Sequence, residues 1–192
     1  GSVALETMLR GICKKENFLD LLENFILFDH SGGHTAKILA RNHQYLGVNE
    51  AIKAYEARKL NNGKLGVFWH TQGSGKSYSM VFLAQKIRRK FSGSPTIVIL
   101  TDRDELNTQI SDTFENCGIL GKAKASQFIA SSGDDLIDKL KGNPSFIFTL
   151  IQKFNKTDVE PIYPDHDIVI MSDEAHRSQY GIFADNMVRL LP

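Results

Sequence analysis

The sequence has few cysteines, no long apolar run and no excess of charge of one sign. Its two cysteines, Cys13 and Cys117, do not have the spacing of metal ligands. We therefore expect two reduced thiols and a cytoplasmic location. No apolar run approaches the roughly 20 residues that cross a bilayer, and no secretory signal is recognisable, so we expect no membrane partner.

The balance of charge also excludes one class of protein. The 192 residues carry a formal net charge of +1, with 42% hydrophobic and 23% charged residues. Such a chain has enough apolar material for a core, but it is not a general binder of polyanions. Any contact with nucleic acid must therefore come from a local patch and from backbone amides.

The order of apolar segments predicts an α/β protein. Nearly continuous runs rich in Val, Ile and Phe are typical of strands that are buried on both faces. Helical periodicity follows Gly75 and continues toward Phe91, and two further helices are predicted, the first of them capped by Asp102 or Asp104. Alternation of this kind predicts a parallel sheet with helices on both faces. The predicted strands are Leu65–Trp69, Thr96–Leu100, Phe146–Leu150 and Asp167–Met171, and the two further helices are Asp104–Asn116 and Gly133–Lys141.

The first sixty residues differ from the rest. Leu5–Lys14, Phe18–Phe28 and Asn42–Lys59 have helical patterns, although Phe25–Phe28 could instead be a strand. We interpret residues 1–60 as a mainly helical lead-in and residues 61–192 as the domain that carries the chemistry. The Lys86–Lys90 cluster is expected to be a solvated helix face.

The most specific motif is a glycine-rich loop between a predicted strand and a predicted helix. It spans His70–Ser77 and has the letters HTQGSGKS, with His70 where the general pattern has glycine. The glycines allow successive backbone N–H groups to converge on a polyphosphate. Lys76 would then reach the β- and γ-phosphates, and Ser77 would ligate Mg²⁺. The alternative is a glycine-rich turn that happens to contain a lysine.

An acidic pair follows the last predicted strand. Asp173 and Glu174 come directly after the apolar run Asp167–Met171. A carboxylate at the end of a buried strand can hold Mg²⁺ through its water shell, which suits Asp173. Glu174 is placed to polarise the attacking water as a general base. The alternative, two acids in a solvated loop, is disfavoured by the strand before the pair and the phosphate loop upstream.

Together these motifs resemble superfamily 2 helicases and translocases. The wider segments Trp69–Ser77, Arg41–Tyr45 and Asp173–Ser178 resemble the restriction (R) subunit of type I restriction-modification enzymes. Type III restriction subunits are similar to a lesser degree. The resemblance implies a RecA-like P-loop fold for the first motor domain of a larger protein. The second motor domain and the nuclease core of that family are not recognisable in this sequence, so the chain alone is expected to bind nucleotide weakly and turn over slowly.

The resemblance also implies roles for individual residues. Gln44, with help from Arg41, would read adenine, and His176 would couple hydrolysis to the rest of the motor. The alternative for Gln44 is a surface glutamine without a ligand. The alternative for the DNA contacts named below is a set of ordinary polar loop residues. The implied ATP site comprises Arg41, Gln44, Thr71, Gln72, Gly73, Ser74, Gly75, Lys76, Ser77 and Tyr78. The implied DNA contacts are Thr101, Arg103, Thr149, Gln152 and Lys153.

The function expected from the resemblance is ATP hydrolysis, with Mg²⁺, coupled to translocation of double-stranded DNA before cleavage. Its partners would be DNA and the specificity and methylation subunits of a restriction complex. Three alternatives remain: a superfamily 2 DNA helicase or type III restriction motor, a binding module in which nucleotide only switches conformation, and a small-molecule kinase. The kinase is disfavoured because Glu174 has no role in aligning a phosphate acceptor.

Overall fold

A computed structural model describes Glu6, residues 9–69, Thr71, and residues 73–155, 160–173 and 180–191. The chain divides into two compact units, residues 1–90 and residues 91–192. The division predicted at residue 60 separates a lead-in from a motor domain by function, and it stays a prediction. No helix within the described ranges is long and apolar enough to cross a membrane.

The first unit combines helices with a small hairpin. Strands β1 (Ile26–Asp29) and β2 (Ala36–Leu39) pair in antiparallel register, with Asp29 opposite Ala36. Of the two interpretations of Phe25–Phe28, the strand is confirmed, because the helix predicted from Phe18 stops at Asn24 and a strand begins at Ile26. The elements are α1 (Lys15–Asn24), β1 (Ile26–Asp29), β2 (Ala36–Leu39), α2 (Asn42–Glu56) and α3 (Lys76–Lys90).

Aromatic rings form the centre of this first unit. Phe25, which is fully buried, lies 4.7 Å from Tyr45 and 5.7 Å from Phe82 between ring centroids. These rings belong to the segment before β1, to α2 and to α3. Tilted aromatic pairs at this separation stabilise a core beyond the area they bury.

A buried lysine also joins the helices of the first unit. The side chain of Lys86 is only 7% exposed; it donates to Asp20 of α1 and, over 2.6 Å, to Asn49 of α2. The prediction that this lysine lies on a solvated helix face is therefore wrong. Burial of its charge is possible because a carboxylate and an amide oxygen compensate for lost water.

The second unit is built on a parallel sheet. Its strands are β3 (Thr96–Thr101), β4 (Phe146–Leu150) and β5 (Ile168–Ser172). They pair in the order β4–β3–β5, and each lies within one residue of its predicted bounds. Arg103 occupies the N-cap of α4 without a side-chain hydrogen bond, so the predicted capping by Asp102 or Asp104 is wrong. The elements are β3 (Thr96–Thr101), α4 (Asp104–Asn116), α5 (Gly133–Lys141), β4 (Phe146–Leu150), β5 (Ile168–Ser172) and α6 (Tyr180–Leu190).

Helices cover both faces of this sheet. On one face, Phe114 of α4 packs edge-on against Phe146 and Phe148 of β4, with centroids 5.5 and 5.3 Å apart. On the other face, Leu136 and Leu140 of α5 belong to a buried cluster that includes alternate residues of β3 and β4. The predicted α/β class, a parallel sheet flanked by helices, is confirmed.

One predicted strand is absent. Residues Leu65–Trp69 form no β-ladder, and the side chains of Val67 and Trp69 are 91% and 86% exposed. The prediction of a buried strand here is wrong, because apolar character favours burial but a strand also needs a neighbour that pairs its backbone groups. Within the described residues no segment supplies that neighbour.

Candidate phosphate-binding site

The glycine-rich loop folds as a tight turn in front of α3. Gly73 and Gly75 have φ angles of 76° and 88°, in the left-handed region that favours glycine. Ser74 closes the turn, since its Oγ donates to the carbonyl oxygen of Thr71 over 2.6 Å and its backbone N–H donates to the same oxygen over 3.2 Å. Both glycines therefore adopt a backbone conformation that larger residues rarely adopt, as predicted from the sequence.

The loop leads directly into the amino terminus of a helix. Helix α3 begins at Lys76, so the amides of its first turn point out of the helix end that adjoins the loop. The helix dipole makes this end favourable for anions. Lys76 and Ser77 lie in the first turn and are partly buried, and their contacts with phosphate and Mg²⁺ stay predictions. His70 and Gln72 lie outside the described residues.

Gln44 is a buried contact of this loop and not a surface glutamine. Its side chain is 3% exposed, and its Nε2 donates to the carbonyl oxygen of Gly75 over 2.9 Å and to Ser79 Oγ over 3.3 Å. Its Oε1 accepts the backbone N–H of Arg41 over 2.8 Å. The amide thus joins the start of α2 to the end of the loop, and its role in adenine recognition stays a prediction.

A carboxylate that the sequence analysis missed holds Tyr78. The phenolic Oη of Tyr78 donates to Asp29 Oδ2, and Asp29 Oδ1 accepts the backbone N–H of Ser31 over 2.8 Å. Burial would raise the pKa of Asp29, but these hydrogen bonds and the nearby His30 outweigh it and lower that pKa. The hydroxyl of Tyr78 therefore anchors the first turn of α3 to the hairpin. No local pattern could have revealed a pair 49 residues apart.

Asp173 lies at the carboxyl edge of the parallel sheet. It directly follows β5, and its backbone N–H donates to the carbonyl oxygen of Leu100 in β3 over 2.9 Å. Asp173 is buried, with a relative exposure of 7%. The predicted position after a buried strand is confirmed. Glu174 and His176 lie outside the described residues, so the predictions for them stay predictions.

The five predicted DNA contacts differ in accessibility. Thr101 and Thr149 are fully buried, whereas Arg103 has a side chain that is 59% exposed. Gln152 and Lys153 are partly buried and donate to the backbone carbonyls of Asp102 and Ala130, the first over 2.9 Å. Gln152 and Lys153 thus join the segment after β4 to other loops, and the two threonines are buried at the carboxyl ends of β3 and β4. Of the five, Arg103 is the most accessible, and the DNA contacts stay a prediction.

The family of the chain follows from its sequence similarity to known proteins. The sequence model of the SWI2/SNF2 ATPases matches residues 43–192, well over half of the chain. The chain belongs to the SWI2/SNF2 ATPase family. The matched range of this ATPase includes Gln44, the phosphate loop and Asp173. A phosphate-binding loop is what an ATPase of any kind needs, so family and geometry agree.

Curated relatives of this ATPase are endonuclease subunits. The chain is 40% identical over 187 residues to the type I restriction enzyme HindI endonuclease subunit of Haemophilus influenzae, covering 92% of this chain and 18% of that protein. It is 27% identical over 188 residues to the type I restriction enzyme SsaAORF53P endonuclease subunit of Staphylococcus saprophyticus, covering 88% and 19%. The resemblance to type I restriction subunits is confirmed. The chain spans less than a fifth of the length of these relatives.

A solved structure supports the fold. The crystal structure of T4 UvsW matches with a TM-score of 0.56 at 16% identity, covering 92% of this chain and 32% of that one. At this identity the likeness concerns the fold alone. It confirms the RecA-like α/β class predicted from the sequence.

Proposed function

We propose that this chain is the ATP-binding motor part of a type I restriction endonuclease subunit, which couples ATP hydrolysis to translocation of double-stranded DNA before cleavage. The observation that carries the proposal is the turn at Gly73–Gly75, placed against the amino terminus of α3 in an ATPase of this family. The similarity to type I restriction endonuclease subunits supports the restriction role.

The residues present fit ATP and a divalent cation. The left-handed glycines and the helix terminus suit phosphate oxygens, and Lys76 adds a charge-assisted contact to the β- and γ-phosphates. Ser77 and Asp173 offer the oxygen ligands that Mg²⁺ prefers, the second through water. Bound Mg²⁺ would neutralise charge on the phosphates. Glu174 would polarise the attacking water, and Gln44 and Arg41 would contact the adenine.

The proposal extends to partners of the whole protein. DNA and the specificity and methylation subunits of a restriction complex would be those partners, with the cytoplasm as the location. Arg103, exposed at the carboxyl end of β3, is the side chain best placed to contact a DNA phosphate. His176 would transmit the state of the hydrolysis site to the rest of the motor.

The first experiment tests the phosphate loop. Lys76→Ala removes a charge-assisted contact that contributes about 1.5–3 kcal/mol, so the affinity for an ATP analogue should fall at least about tenfold. A titration of the 192-residue chain with a fluorescent analogue measures this. Lys64→Ala, at an exposed lysine outside the loop, is the matched control. Equal affinity of the Lys76→Ala variant and the parent chain would exclude the loop as the nucleotide site.

The second experiment tests the general base. Glu174→Gln in the full-length protein should leave nucleotide binding intact while hydrolysis stalls, because an amide cannot accept the proton of the attacking water. Single-turnover hydrolysis and equilibrium binding separate the two effects. An unchanged rate would remove the general-base role and favour a binding module over a motor.

The third experiment tests the restriction role against a general helicase or translocase. The ATPase rate of the intact complex is measured on the host's own modified DNA and on unmodified DNA. Stimulation by unmodified DNA alone is expected of a restriction motor. Equal stimulation by both would keep the ATPase chemistry but reject the restriction role.

A further inference from the structure

Helix α2 contains a glycine where a phenylalanine ring needs space. Gly47 lies inside the helix, where glycine is less favourable than alanine by about 1 kcal/mol. A Cβ atom at this position would lie 1.8 Å from Phe68 Cε2 and 2.1 Å from Cζ. The ring of Phe68 therefore occupies the volume that any larger residue at position 47 would fill.

Phe68 is the anchored residue of the segment that enters the phosphate loop. It is 37% exposed, while its neighbours Val67 and Trp69 are 91% and 86% exposed. No β-ladder holds these three residues. The contact between the ring and Gly47 is thus one restraint on the chain just before the loop.

The same helix holds the other end of the loop. Gln44 Nε2 donates to the carbonyl oxygen of Gly75 over 2.9 Å, and a Cβ at Gly75 would lie 3.0 Å from that nitrogen. His43 Nε2 lies 3.3 Å from the carbonyl oxygen of Ser74. Because Gln44 and Gly47 are three residues apart, they lie on one face of α2. One face of one helix therefore contacts the chain just before the phosphate loop and the backbone near the end of that loop.

We propose that Gly47 and Phe68 are positioning residues for nucleotide binding, which together with Gln44 fix the entrance and the exit of the phosphate loop on α2. The proposal rests on the proposed function, in which this loop binds ATP. The loop amides must converge on the phosphates, and a shift of about 1 Å at such a site can weaken function as much as a hundredfold. Holding both ends of the loop before nucleotide arrives lowers the ordering cost of binding.

The test is a double-mutant cycle of Gly47→Ala and Phe68→Ala, read out in two ways. The first readout is the Kd of a fluorescent ATP analogue for the 192-residue chain. The second is the emission anisotropy of Trp69, the single tryptophan, in the absence of nucleotide. Each single change should raise the Kd about tenfold and lower the anisotropy, because the segment is released. The double variant should bind no worse than either single variant, since the added methyl group no longer meets a ring.

Controls separate this role from a general loss of structure. Glu50→Ala, at an exposed position of the same helix, should leave both readouts unchanged. The far-UV circular dichroism and the unfolding midpoint of Phe68→Ala should stay near those of the parent chain. If Gly47→Ala fails to fold, Phe68→Ala alone still tests the proposal through its Kd.

Two results would overturn the positioning role. One is an unchanged Kd and anisotropy in either single variant. The other is an increase in Kd on Gly47→Ala that is as large with alanine at position 68 as with phenylalanine. Lys76→Ala is measured in parallel. Affinity that depends on Lys76 but not on Gly47 or Phe68 overturns this inference alone, whereas affinity independent of Lys76 overturns the proposed function and this inference with it.

Discussion

The two units of this ATPase are stabilised by different kinds of contact. In residues 91–192 the centre is apolar, since all six residues of β3 are buried and the rings of Phe114, Phe146 and Phe148 pack on one face of the sheet. In residues 1–90 aromatic rings also form the centre, but buried polar side chains join the helices in addition. Lys86 binds Asp20 there, and further polar contacts tie the first turns of α3 to the hairpin and to α2.

The difference teaches which contacts set stability and which set position. Apolar burial is non-directional, and its contribution to stability scales with the apolar area removed from water. A buried hydrogen bond is lost when its geometry fails, and the unpaired group then costs its full desolvation. The helix behind the phosphate loop is held by directional contacts at Tyr78, Ser79 and Lys86. We infer that the second unit contributes more of the free energy of unfolding. The first unit contributes more to the fixed position of α3 and of the loop before it.

The largest expected effect is in the apolar core. Phe148→Ala removes a fully buried ring that packs edge-on against Phe114. We expect a loss of about 3–5 kcal/mol in the free energy of unfolding, from lost transfer energy plus a cavity. Urea denaturation measures the loss, and hydrogen exchange by peptide locates it in residues 91–192. Phe28→Ala, at a ring that is 52% exposed, is the control and should cost less than about 1 kcal/mol. A loss below that control would mean that the sheet is not the stable centre.

The next largest loss of stability is expected when a buried polar contact of the first unit is removed. Lys86→Ala leaves the carboxylate of Asp20 without its cation, and breaking a buried pair costs about 3–5 kcal/mol. Because the Asp20 side chain is 22% exposed, we expect about 2–3 kcal/mol. Lys90→Ala is the matched control, since Lys90 pairs with Glu56 at 2.7 Å but both are nearly half exposed, and it should cost at most about 1 kcal/mol. Similar losses for both variants would remove the distinction between buried and exposed pairs.

The same pair predicts a dependence on pH. Burial is the largest influence on the pKa of Asp20 and raises it, but hydrogen bonds from Lys86 and Asn24 and the charge of Lys86 together lower that pKa. A lowered pKa contributes stability that is present above the unfolded value of about 3.9 and is lost as the pH falls through the folded value. The difference between the parent chain and Lys86→Ala should therefore shrink below about pH 4. A constant difference down to pH 2 would mean that Asp20 is not the partner that matters.

Sequence patterns closely predicted the elements of the second unit and the turn at Gly73–Gly75. The helices Asp104–Asn116 and Gly133–Lys141 have their predicted bounds, because periodic apolar residues and local turn residues specify them. Strand Phe146–Leu150 also has its predicted bounds. The turn at Gly73–Gly75 was predictable because its chemistry lies in consecutive residues.

Contacts between distant residues were not predictable. Lys86 and Asp20 are 66 residues apart, and nothing in the segment around either one indicates the pair. Charge patterning placed Lys86 in solvent because an unpaired lysine belongs there. The strand predicted at Leu65–Trp69 is wrong for a related reason, since a strand depends on a neighbour that its own sequence does not specify.

The smallest expected loss of stability comes from removing a polar contact between residues that are close in sequence. Asp135 accepts from Lys139, four residues on, over 2.8 Å and from the backbone N–H of Ser131 over 2.7 Å. The hydrogen bond from Lys139, followed by that from Ser131, lowers the pKa of Asp135 to about 2. Asp135→Asn should cost about 0.5–1 kcal/mol at pH 7, because the contacts lie near the surface at a helix start.

The pH dependence of this variant completes the comparison. Since the pKa of Asp135 is lowered, its contribution is present above about pH 4 and is lost as the pH falls toward 2, so the cost of Asp135→Asn should vanish there. Asp138→Asn, at an exposed aspartate of the same helix, should change stability little at either pH. If Asp135→Asn instead cost more than Lys86→Ala at pH 7, short-range polar contacts would stabilise this ATPase more than long-range buried ones. The distinction between the buried polar pairs of the first unit and the surface polar contacts of the second would then fail.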